Sequence, residues 1–121
     1  LVDWLVERRN TVVVDGKAGA GALIEALIAA KFPKRLIVRP TVDDVIAAHT
    51  GFVEAIVSDA LSHIDDPTLR ASVGSAGRRP IWNLGGWGFA SIDGGDVTLA
   101  ESAVLAHWAA TKATKRRAAG F

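Results

Sequence analysis

The chain has 121 residues, half of them apolar, and its 14 Lys and Arg against 13 Asp and Glu leave a net charge of +1. That length predicts a single globular domain, 1–121, with one core, and the charge balance provides no bulk attraction to a polyanion. The absence of cysteine excludes disulfides and thiolate metal sites, and no apolar run is long enough to span a membrane.

An intracellular protein fits this composition. The chain opens on Leu with no basic-then-apolar leader, so it is expected to be part of something longer.

Leu1 to Arg9 has a helical pattern, with Leu1, Val2, Leu5 and Val6 set against Asp3, Glu7, Arg8 and Arg9. Val12 to Val14 follow as a β-branched strand that delivers Asp15 into a glycine turn, Gly16, Gly19 and Gly21. Gly19 to Ala30 reads as a helix, Pro33 closes it, and Arg35 to Arg39 is the next strand. A strand, a helix and a strand at these spacings imply a parallel pair with a crossover helix. Asp15 then stands outside the carboxyl end of a strand, where open α/β sheets meet their ligands.

Thr41 to about Leu61 is the clearest helix, with Thr41 and Asp44 arranged like a capping box. His49 falls in its apolar stripe and reads as a half-buried, hydrogen-bonded core-edge histidine, with no carboxylate or second histidine beside it. Asp66-Pro67 caps a short helix that runs toward Gly74 or Gly77. From Arg78 to Ser91 large aromatics alternate with glycine, which predicts a loop or irregular strand with Trp87 and Phe89 facing the same way. Trp82 and Trp87 are expected to cover the open edge of a small core, and the alternative is base stacking. Thr98 and Glu101 form a capping box for a last helix to about Arg117, whose Ala103, Ala106 and Ala110 predict close packing on a sheet. With Thr98 as the cap, Asp96 is expected to keep a free carboxylate near the positive end of that helix.

The chemistry narrows by elimination. The glycine turn lacks the P-loop pattern and, with Ile24 in the way, the third glycine of a dinucleotide fingerprint. No serine sits in a nucleophile elbow, and His49, His63 and His107 have no zinc spacing. A carboxylate-only site for Mg²⁺ or Mn²⁺ fits best, with Asp15 and Asp96 converging from separate elements and Asp93 competing with Asp96. Basic residues gather at Lys31, Lys34, Arg35 and Arg39, at Arg78-Arg79, and in a tail over about 112–121. Each cluster suits phosphates, or else a solvated helix end.

The order of parts is similar to a known family. It runs from strand-Asp-Gly-x-x-Gly with an Ala/Leu-rich helix (Val12 to Ala30), through Arg39-Pro40-Thr41, a long helix and Asp66 to Leu69. Ala76-Gly77-Arg78-Arg79-Pro80, Trp87 and the segment from Asp96 to Ala109 complete it. Over nearly the whole chain this resembles the C-terminal nuclease domain of the large terminase subunit of tailed phages, especially actinobacterial phages and prophages. The resemblance implies an α/β, ribonuclease H-like partial domain, with a short, mostly parallel sheet flanked by helices. It also implies a Mg²⁺- or Mn²⁺-dependent endonuclease that cuts concatemeric double-stranded DNA in the host-cell cytoplasm, with the terminase small subunit and portal as partners of the parent protein.

Asp15 matches the family's second acidic position and Asp96, or Asp93, the third. The first has no counterpart, so the chain alone is expected to bind metal weakly and cleave little. The resemblance further implies that Arg78, Arg79, Lys112, Lys115, Arg116 and Arg117 lie near DNA, while Lys17, near Asp15, is read either as a lysine that neutralises a phosphate or as an exposed turn lysine. Two other classes remain open: a non-enzymatic α/β interaction domain, and a nucleotide-binding module using the Gly16–Gly21 turn.

Overall fold

The computed structural model describes residues 1–16, 19–61, 66–81 and 86–118, of which 79–81 and 113–118 are described as backbone only. The fold is mixed α/β and divides into two compact units, Leu1–Thr41 and Val42–Phe121. None of the described helices is long and apolar enough to cross a membrane.

The first unit contains α1 (Val2–Arg8), β1 (Val12–Val13), α2 (Ala20–Ala29), a 3-10 turn (Lys34–Leu36) and β2 (Ile37–Val38). β1 and β2 pair in parallel, Val12 opposite Ile37 and Val13 opposite Val38, with α2 as the crossover. The Val14 N–H carries the ladder one residue further, to the Val38 carbonyl at 2.9 Å. The second strand is shorter than its sequence suggests because Leu36 N–H turns back to the Pro33 carbonyl at 3.0 Å, winding Lys34–Leu36 into the 3-10 turn. Val14, Ala20, Leu27 and Phe32 are buried, and Leu27 is fully enclosed. After α2, Lys31 adopts a left-handed φ of 68°. Phe32 N–H then reaches the Leu27 carbonyl (2.9 Å) and Lys31 N–H the Ile28 carbonyl (3.0 Å), the paired bonds of a Schellman ending.

The second unit contains α3 (Val42–Val57), α4 (Pro67–Gly74), β3 (Ala76–Ile81), β4 (Gly86–Ser91) and α5 (Thr98–Ala118). Ala48 and Phe52 of α3 meet Val104 of α5 in the core, flanked by Leu61, Phe89, Ala103, Leu105 and Trp108. α5 therefore packs on α3 and α4, not with an alanine face on a sheet, and Ala106 and Ala110 are exposed. α3 stops four residues earlier than its apolar stripe suggests. Asp59 takes a left-handed φ of 57° and Ala60 N–H bonds back to the Ala55 carbonyl at 2.9 Å, closing the helix without a glycine.

The segment read as a loop or irregular strand is a regular antiparallel hairpin, with Ala76 opposite Ser91 and Ile81 opposite Gly86. Period-two alternation places Arg78, Trp87 and Phe89 on one face. Gly86 has to be glycine for packing, because a Cβ there would lie 2.5 Å from the Ile46 side chain of α3.

Candidate functional site

Asp15 is exposed directly after the buried Val14, at the carboxyl end of β1. Gly16 follows with φ 91°, a left-handed conformation that favours glycine, and its carbonyl accepts from the Arg39 guanidinium at 3.2 Å. α2 then opens at Gly19, φ 75°, with no side-chain cap. Gly16 and Gly19 thus both adopt left-handed conformations, and the Asp15 side chain before them is exposed. Lys17 lies outside the described residues.

Asp93 and Asp96 sit on the loop between β4 and α5 of the second unit. Asp93 folds that loop onto itself: its Oδ1 accepts from Gly95 N–H (2.9 Å) and Ser91 Oγ (3.5 Å), and its Oδ2 from Ser75 Oγ (3.3 Å). The Gly95 N–H and then the Ser75 hydroxyl hold its carboxyl below the ordinary 3.8. Asp96 is not free as the sequence suggested. Thr98 is the first helical residue of α5, and its N–H donates to Asp96 Oδ1 at 2.8 Å. The Thr98 hydroxyl and N–H together lower the Asp96 carboxyl. Both carboxylates are ionised and exposed, and both do turn and helix-start work.

Asp15 belongs to one unit and Asp93 and Asp96 to the other. Among the described residues no three His, Cys, Asp or Glu side chains come together in a way that would hold a metal ion. The described residues therefore assemble no complete Mg²⁺ or Mn²⁺ site, and their separate carboxylates offer only weak, partial coordination.

Of the basic residues, Arg78 is exposed on β3 with its guanidinium carbon 4.4 Å from the Trp87 ring centre. Arg79 follows it in the strand, opposite Gly88. On α5 the Lys112 ammonium lies 5.0 Å over Trp108, one turn back, and Lys115, Arg116 and Arg117 continue the helix. In the first unit Arg8 covers Trp4 at 3.9 Å. Each described tryptophan thus carries a cation on its ring, a denser use of this contact than the usual one per 70–80 residues. Sequence reading put Arg78 beside aromatic residues, but only the hairpin register pairs it with Trp87.

His49 is 4% exposed, more deeply buried than its sequence suggested. Its Nδ1 donates to the Val45 carbonyl at 2.8 Å, and its ring meets Trp87 (5.8 Å) and Phe89 (4.9 Å) edge-on. Nε2 finds no hydrogen-bond partner among the described residues. Trp87 does cover the core edge, through these contacts, whereas Trp82 and His63 fall outside the described residues. His107 packs its ring 6.0 Å from Phe52.

No protein-family model matches this chain, and neither a curated protein nor a solved structure does.

Proposed function

We propose that this chain is part of a ribonuclease H-like nuclease domain of a phage terminase large subunit, with concatemeric double-stranded DNA as its substrate. The observation that supports the reading is the setting of Asp15. An exposed carboxylate leaves the carboxyl end of β1, in a parallel strand-helix-strand unit, at the place where α/β proteins meet their ligands. Arg78 and Lys112, with Arg79, Lys115, Arg116 and Arg117 nearby in sequence and Lys17 two residues after Asp15, supply cations for a phosphate backbone. The Mg²⁺ or Mn²⁺ of such a nuclease would require an acidic ligand besides Asp15, Asp93 and Asp96. In this reading the small subunit and portal are partners of the parent protein in the host-cell cytoplasm.

The test is a thermal melt of the full chain across a Mn²⁺ titration. Under this reading the wild type gains about 1.4 kcal/mol at tenfold excess over its dissociation constant, and Asp15→Asn gains less. A melt indifferent to Mn²⁺ overturns it. That outcome would favour a non-enzymatic α/β interaction domain, for which the committed hydrogen bonds of Asp93 and Asp96 already speak.

A further inference from the structure

Among the described residues of the second unit, the Arg78 guanidinium is the surface cation with the most packed groups behind it. A chain of packed groups stands behind it. The Val45 carbonyl fixes the His49 ring through Nδ1, the His49 and Phe89 rings wedge Trp87, and the Trp87 face carries Arg78. Phe89 is in turn braced by Phe52, a core residue of α3. Hairpin register makes this possible: Arg78 lies opposite Phe89 and diagonal to Trp87, on the same face of the sheet. A cation–π contact uses the charge of the guanidinium and not its five N–H donors, which stay available to an acceptor. An arginine pinned in this way loses less conformational freedom on taking a ligand than one that waves in solvent.

We propose that Trp87 is a positioning residue that holds Arg78 ready for a backbone phosphate, with His49 and Phe89 as its rear support. The inference rests on the DNA reading above. It goes further in naming which cation makes an ordered contact and which ring orders it. Arg78 bonds a phosphate oxygen; Trp87 touches no DNA and acts through Arg78.

The experiment is binding of a fluorescent DNA duplex of about 20 base pairs to the full chain, followed by anisotropy from about 50 to 200 mM salt. Arg78→Ala is expected to weaken binding and to lower the salt slope by about one. Trp87→Leu is expected to weaken binding severalfold at nearly unchanged slope, because the charge remains. In the Arg78→Ala background Trp87→Leu should then cost nothing more, whereas a merely structural tryptophan would give additive losses. Trp87→Phe keeps a ring face and should retain most of the affinity, and it replaces Trp87→Leu in the cycle if that variant does not fold. Additive losses, or a salt slope indifferent to Arg78→Ala, overturn the inference while the DNA reading stands. A wild type that binds no duplex at the lowest salt overturns both.

Discussion

The Ser72 hydroxyl accepts the Ala100 N–H at 3.0 Å, so a side chain of α4 closes the open first turn of α5, 28 residues along the chain. Both residues are buried, which makes this a tertiary cap. Ser72→Ala leaves a buried N–H without its acceptor and should cost about 1–3 kcal/mol in denaturant unfolding. Exposed Ser102, which donates to the Thr98 carbonyl within α5, is the control, and its alanine variant should change stability by less than about 0.5 kcal/mol.

The start of α5 should also respond to acid. The folded-state Asp96 carboxyl lies below its ordinary 3.8, held there first by the Thr98 hydroxyl and then by the Thr98 N–H. A lowered carboxyl contributes stability that is fully present above the unfolded value and is lost as pH falls through the folded one. The gap in melting temperature between wild type and Asp96→Ala should therefore be flat from neutral pH down to mildly acidic pH, and shrink below about pH 3.8. A gap that widened in acid would contradict the hydrogen-bonded geometry.

Gly86 lets the hairpin approach α3, since a Cβ there would meet Ile46 at 2.5 Å. Gly86→Ala should destabilise by about 1–3 kcal/mol through overpacking. Ile46→Ala removes the colliding atoms, so the double variant should lose less than the sum of the two single changes. Additive losses in urea unfolding would count against this packing.

Lys31 closes α2 with a φ of 68°, a conformation that side chains resist and glycine adopts freely. Lys31→Gly should raise stability by about 0.5–1 kcal/mol in thermal or urea unfolding. A loss would mean that the lysine side chain contributes more than its backbone costs.

Much of the secondary structure was legible because it rests on local signals. The β-branched Val12 to Val14, the Asp66-Pro67 cap, whose Oδ1 takes Thr68 N–H at 2.8 Å and Leu69 N–H at 3.1 Å, and the long apolar stripe of α3 all found their places. Helix ends were harder. α1, α2 and α3 are followed by left-handed Arg9, Lys31 and Asp59, so the glycine that usually marks an ending is missing. The hairpin was obscured by its glycines, whose role at Gly86 depends on a neighbour in another element. At the candidate site, the position of Asp15 followed from strand patterning, but the engagement of Asp96 turned on which residue begins α5. Starting the helix one residue earlier makes Thr98 helical, and its N–H then ties up the Asp96 carboxylate. Ser72 gave no signal at all, because its partner is a backbone group distant in sequence.

The histidine behind Trp87 has a further consequence. A carbonyl only accepts, so the bond to Val45 puts a hydrogen on Nδ1 and orients the ring among the aromatic side chains. Nε2 is shielded there without a partner among the described residues. Water admitted by lifting the hairpin from α3 would give it a hydrogen-bond partner. The ¹⁵N resonance of that one nitrogen is thus a built-in gauge of whether the hairpin is seated, readable without adding a label to the surface.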